Sequence, residues 1–213
     1  MQRIPVSSLF WGLAVLAAGA LLIVVTLNPS APPLAEPGHA KLPVAEEVRG
    51  GPIELPVATH AERFDLADYE GQYVWLYFGY TFCPDACPTS LGWISGALNQ
   101  LPEALQGQVN AVFISVDPER DTPEHLANYV GYFHTDIHAA TGPKDALRAT
   151  AQDYGVFFER AETESAMGYV IDHSSSTYLI GPAGDLLEIH PHGTSAADLV
   201  ATLEAHAQPG DTD

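Results

Sequence analysis

Tyr73–Tyr80 reads YVWLYFGY, a continuous aromatic and β-branched run with no alternation of polar and apolar positions. A strand of this kind is suited to burial on both faces, which happens in sheets covered by helices on either side. Val109–Val116 (VNAVFISV) has the same character. Between the two, Pro88–Leu101 shows helical spacing through Leu91, Ile94, Leu98 and Leu101. The spacing therefore predicts strand, helix, strand over the first half of a domain.

The rest continues the alternation. Thr122 can cap a helix with Pro123 at its first position, running to about Phe133, and another helix is expected over Pro143–Tyr154. Val156–Phe158 and Tyr169–Ile171 read as short strands. Ser176–Ile180 (STYLI) and Asp185–His190 (DLLEIH) flank Gly181-Pro182-Ala183-Gly184, a hairpin signal. Ser195–His206 closes as a helix with Leu199 and Leu203 on one face. Parallel strands first, then a late hairpin and a terminal helix, predict an α/β fold of the thioredoxin-like sandwich type.

Residues 9–27 (LFWGLAVLAAGALLIVVTL) carry no charge over nineteen positions. A helix of that length spans ~28 Å, close to a bilayer's hydrocarbon core. A cleaved signal peptide is the rival reading, but Asn28-Pro29-Ser30-Ala31-Pro32-Pro33 makes a poor cleavage site. The expected organisation is a tail and single transmembrane anchor over 1–27 and a proline-rich linker over 28–52. The thioredoxin-like domain follows over 53–207, and a C-terminal tail over 208–213. The linker holds six prolines, at 29, 32, 33, 37, 43 and 52, and such a stretch acts as a semi-rigid spacer. Arg3 on the short tail favours a cytoplasmic N-terminus, which puts the domain on the periplasmic, non-cytoplasmic side. The net charge of −19, from 8 basic and 27 acidic residues, repels phosphate backbones and argues against nucleic-acid binding.

The chain has two cysteines, Cys83 and Cys87, in FGYTFCPDACPTSLGW. A domain this large needs no disulfide staple, and a bridge across so short a loop constrains the unfolded chain little. The pair therefore calls for chemistry. After the first central strand it sits at a helix N-terminus, where unpaired N–H groups and the helix dipole favour the thiolate. Residues four apart share a helical face, so both thiolates can meet one ion. Soft thiolates select soft ions, Cu(I) above all. A neutral imidazole is the natural third ligand, and the chain offers 9 histidines.

His173, in the polar loop Asp172-His173-Ser174-Ser175-Ser176 before STYLI, is the choice that the expected fold supports. His190 and His192 flank Pro191; they offer a second metal site, with solvation the blander expectation. His134 and His138 need not share a face, because Thr135-Asp136 reads as a helix exit. His39 lies in the spacer. His60, His125 and His206 have no partner nearby in sequence. Tyr80, Phe82 and Trp93 read as packing around the site.

These residues resemble the Sco/SenC family of membrane-anchored copper proteins that help assemble cytochrome c oxidase. Three segments carry the likeness: YFGYTFCPDACPTSL (77–91), SVDPERDTPEHL (115–126) and DHSSSTYLI (172–180). The resemblance implies a thioredoxin-like fold with copper, Cu(I) or Cu(II), held by Cys83, Cys87 and His173. It also implies a role in maturing the binuclear copper site of cytochrome c oxidase subunit II. An upstream copper donor or thiol reductant would be a second partner. Asp117–Asp121 read as a structured loop and helix start without a ligand role. Two activities stay open: a copper metallochaperone, and a thiol–disulfide oxidoreductase that reduces the cysteines of the target site. An inert interaction domain with a structural disulfide ranks below both.

Overall fold

The structure is a computed structural model and describes residues 48–164 and 168–207. The expected anchor, most of the linker and the C-terminal tail lie outside the described residues. Among the described residues no helix is long and apolar enough to cross a membrane.

The central strand is β4, Tyr73–Gly79. Val74, Trp75, Leu76, Tyr77 and Phe78 are each at most 1% exposed, which is the two-sided burial that the run demanded. Parallel to β4 runs β5 (Val109–Ser115), and parallel to β5 runs β6 (Ile137–Thr141). On the other side β9 (Thr177–Ile180) pairs antiparallel with β4, and β10 (Leu186–His190) with β9. The short strand β2 (Val57–Ala58) closes the far edge against β6, giving the order β10-β9-β4-β5-β6-β2.

Side chains alternate between the two faces, as strand geometry requires. Val74, Leu76, Phe78, Val112 and Ile114 pack with Leu147, Ala151 and Tyr154 of helix α3 and its exit (α3, Lys144–Asp153). Trp75, Tyr77, Ala111 and Phe113 pack on the opposite face. Their cover comes from helices α1 (Ala86–Leu98), α2 (Pro123–Gly131) and α4 (Ala196–Ala207). This mixed α/β sandwich is the thioredoxin-like layering that the sequence predicts.

Several local features differ from expectation. β6 is a strand that the pattern did not show, because IHAAT has low β-propensity and becomes a strand through its pairing with β5. Helix α1 starts at Ala86 and ends at Leu98, short of Leu101, with Asn99 as its C-cap. Two further short strands precede the core, β1 (Glu54–Leu55) and β3 (Phe64–Asp65), paired with each other. The expected strand at 169–171 appears within β8 (Tyr169–His173), but the one expected at 156–158 is displaced: Val156 and Phe157 lie outside any strand and β7 runs over Phe158–Glu162, pairing with β8 in a separate antiparallel sheet. The cap at Thr122 is as expected: its side chain accepts from the His125 N–H, with Pro123 opening the helix.

Val48–Gly51 strap onto the domain. The Gly50 N–H donates to Asp153 O at 3.1 Å, and the Tyr154 hydroxyl donates to Gly51 O at 2.7 Å. Gly155 has φ +62°, and a side chain there would meet Val48 Cγ2 at 2.6 Å, so both backbone and space call for glycine.

Candidate metal centre

The carboxyl ends of β4 and β5 open onto the cysteine loop. The Cys83 N–H donates to Tyr80 O at 3.2 Å and turns the chain toward α1. Asp85 is the N-cap residue, yet its side chain caps no N–H. The Cys83 sulfur takes that place instead, accepting from the Cys87 N–H at 3.5 Å. The two cysteines therefore do not share a helical face, as their spacing suggested. Cys83 lies before the helix, Cys87 is its second residue, and the turn between them brings the sulfurs together.

Cys87 is 0% exposed, whereas Cys83 is only partly covered. The Cys87 sulfur rests on the backbone of β4: a Cβ added at Gly79 would lie 2.5 Å from it. Glycine inside an apolar strand is a recognised sign of close approach. That signal was present in YVWLYFGY, and sequence reasoning passed over it.

His173 ends β8. Its Nδ1 is 2.8 Å from Ser174 O. A carbonyl only accepts, so Nδ1 carries the proton and Nε2 presents a lone pair. Nε2 is 3.4 Å from Cys87 Sγ. Tyr77 and Tyr80 meet the imidazole edge-on, with centroids at 6.3 and 5.7 Å. The donor atoms of Cys83, Cys87 and His173 all lie within 4.8 Å of one another, the one such group of three or more His, Cys, Asp or Glu among the described residues. Sulfurs sharing one ion at ~2.3 Å stand about 4 Å apart, so the set fits a single soft ion.

The two thiols are not equivalent. Cys83 is held well below the usual thiol range, chiefly by the Cys87 S–H hydrogen bond, with the backbone N–H groups of Cys87 and Asp85 adding to it. Burial pushes Cys87 up, and its hydrogen bond to Cys83 works in the same direction. The expectation that the helix terminus would favour both thiolates thus holds for Cys83 alone. The dry pocket around Cys87 outweighs the helix dipole.

The loop after β5 supports the cysteine loop. Asp121 is 1% exposed and accepts from the Thr81 N–H at 3.0 Å, from the Thr81 hydroxyl and from the Ser115 hydroxyl. The Arg120 guanidinium lies 4.7 Å over the Phe82 ring. Tyr80 packs at the site as expected, but Phe82 and Trp93 are each 40% exposed.

The other histidines fall elsewhere. His190 is buried at 4% exposure, which corrects the expectation that it is solvated, and His192 Nδ1 is 3.1 Å from Ser90 Oγ. His60, without a partner nearby in sequence, stacks on His138 at 3.9 Å, with Tyr69 Oη bridging the two at 2.9 and 3.1 Å. His125 Nε2 is 2.9 Å from Thr81 Oγ1, and His206 Nε2 is 3.3 Å from Glu188 Oε2.

A thioredoxin-like sandwich with two thiols and an imidazole converging at the carboxyl ends of its central strands defines a class of metal-binding thiol protein. The family model SCO1/SenC matches residues 47–208, and the chain belongs to that family. The mitochondrial SCO1 homolog of Homo sapiens is 32% identical over 167 residues, covering 78% of this chain and 55% of its own length. The SCO2-like protein RP587 of Rickettsia prowazekii (strain Madrid E) is 36% identical over 170 residues, covering 79% of this chain and 81% of its own. The crystal structure of Arabidopsis thaliana ScoI with copper bound superposes with a TM-score of 0.67 at 32% identity, over 72% of this chain and 94% of that one. The chain spans about half the length of the mitochondrial relatives it matches.

Proposed function

We propose that this protein is a copper metallochaperone for the binuclear copper site of cytochrome c oxidase subunit II, with Cys83, Cys87 and His173 as the copper ligands. The carrying observation is the convergence of two sulfurs and an imidazole lone pair within 4.8 Å. Family membership and the copper-bound ScoI relative support it. Copper is the cargo. Cys83 and His173 are partly accessible while Cys87 is sealed, so an acceptor's ligands displace the outer two first and Cys87 last. In this reading residues 1–27 anchor the chain as a single span, 28–52 act as spacer, and 53–207 work on the periplasmic side, supplied by an upstream copper donor.

The inequality of the thiols favours a second reading, thiol–disulfide exchange. The Cys83 thiolate attacks a target disulfide to form a mixed disulfide and release one target thiol. Cys87 then attacks Cys83, releasing the second target thiol and leaving a Cys83–Cys87 disulfide. An external dithiol reductant restores the pair.

His173→Ala separates the two. Removing the nitrogen weakens Cu(I) binding and removes most Cu(II) binding, because Cu(II) depends more on nitrogen donors. Both cysteines stay at the helix start, so the potential of the thiol pair should change little. A chaperone then fails to support oxidase assembly in cells, with partial rescue by added copper. Normal oxidase activity alongside abolished copper binding in the purified full-length variant would overturn delivery and leave the reductase reading.

A further inference from the structure

Among the described residues β7 and β8 form a two-stranded sheet of their own and join no ladder of the six-stranded sheet. His173 is thus carried by a hairpin that something other than the main ladder must hold in place. At the His173 end, the Ser174 N–H donates to Phe157 O at 2.8 Å. At the other end of β8 stands Tyr169. Its ring lies between two guanidiniums, with Arg120 Cζ at 3.6 Å and Arg160 Cζ at 3.7 Å from its centroid. Its hydroxyl donates to Asp117 Oδ1 at 2.7 Å, and its carbonyl accepts from Arg120 Nη1 at 3.0 Å.

The same Arg120 reaches the cysteine loop. Its guanidinium covers Phe82, next to Cys83, and its Nε donates to Asp117. Its side chain is 15% exposed and that of Asp117 3%, so the contacts form away from bulk water. The neighbouring Asp121 pins Thr81, two residues before Cys83. One planar cation therefore touches both the loop that holds the thiols and the hairpin that holds the imidazole.

We propose that Arg120, acting through Tyr169, is a positioning residue of the metal centre: it closes the His173 hairpin onto the cysteine loop and so sets whether the imidazole reaches the bound ion. The last step rests on the copper reading above; the closure does not. Lysine cannot replace Arg120 here, because an ammonium neither stacks flat between Tyr169 and Phe82 nor donates from several fixed directions.

The test uses full-length Arg120→Lys and Tyr169→Ala proteins. In the metal-free state, amide hydrogen exchange over 169–173 should quicken several-fold, while strand 74–78 keeps its protection. With Cu(II) added, affinity should fall ~10–100-fold, the range for lost outer partners of metal ligands, and the nitrogen coupling in the electron paramagnetic resonance spectrum should be lost. Unchanged β8 exchange together with an unchanged nitrogen signature in both variants overturns the proposal. So does faster exchange spread equally through strand 74–78, which would mean general loosening. If the wild-type protein binds no copper, the copper reading fails, and the exchange arm still decides the closure.

Discussion

A single methyl group at Gly79 would sit 2.5 Å from the Cys87 sulfur and 3.0 Å from both Phe113 and Tyr77. None of these can yield easily, since all three side chains are buried at 0% exposure. Gly79→Ala should therefore push the sulfur out of register with Cys83 and His173. Overpacking of this kind costs about 1–3 kcal/mol. Copper loading should fall with it, read by metal stoichiometry after dialysis. Gly92 provides the contrast: it lies within α1, and a Cβ there meets nothing within 4 Å. Gly92→Ala should stabilise by about 0.5–1 kcal/mol through helix propensity and leave copper loading alone. Equal losses in the two variants would remove the close-approach argument. Gly79 was legible in the sequence as a glycine within an apolar strand. The burial of Cys87, which raises its pKa against the helix dipole, was not, because it depends on cover from residues distant in the chain.

The far edge of the sheet is an element-scale device. β2 pairs with β6, and just beyond the ladder His60 stacks on His138 with Tyr69 bridging them. Asp68 and Asp136 are the charged groups nearby. Burial lowers both histidines from the ordinary 6.5, His138 further through His60 beside it, while the carboxylates oppose the shift. The folded state therefore takes up protons at lower pH than the unfolded chain. Between the lowered values and 6.5 the unfolded chain binds more protons, so stability rises with pH there. Stability contributed by this edge is fully present above 6.5 and is lost as pH falls below it. Thermal midpoints measured from pH ~8 down to ~5 should drop more for the wild type than for a His60→Gln/His138→Gln variant. Parallel curves would show that the stacked pair contributes no pH dependence. None of this edge was visible beforehand, because β6 is a strand by pairing rather than by composition.

For the whole molecule, the acidic surface and the uncharged run at 9–27 belong together in the proposed arrangement. In it a chain of net charge −19 gains solubility from its acids, while the apolar run would hold it at a membrane surface. The intact protein should stay in the membrane fraction after alkaline carbonate treatment and leave it on detergent extraction. Release by carbonate, or a mature N-terminus near residue 30, would instead mean a cleaved leader.

Local periodicity was enough to place β4, β5, α1 to α4 and the β9–β10 hairpin, since two-sided burial and helical spacing are written in neighbouring residues. Residue chemistry also singled out Cys83, Cys87 and His173. Only the tertiary structure decided how those three meet: through a turn ahead of α1, a glycine beneath the buried sulfur, and a hairpin held by Arg120 and Tyr169. The turn and the glycine act over a few residues, but the other contacts join distant parts of the chain, as Asp121–Thr81, Arg120–Tyr169 and His173–Cys87 at separations of 40, 49 and 86 illustrate. Spacing along a chain carries no record of such distances, because they are set by which faces pack once the sheet has formed.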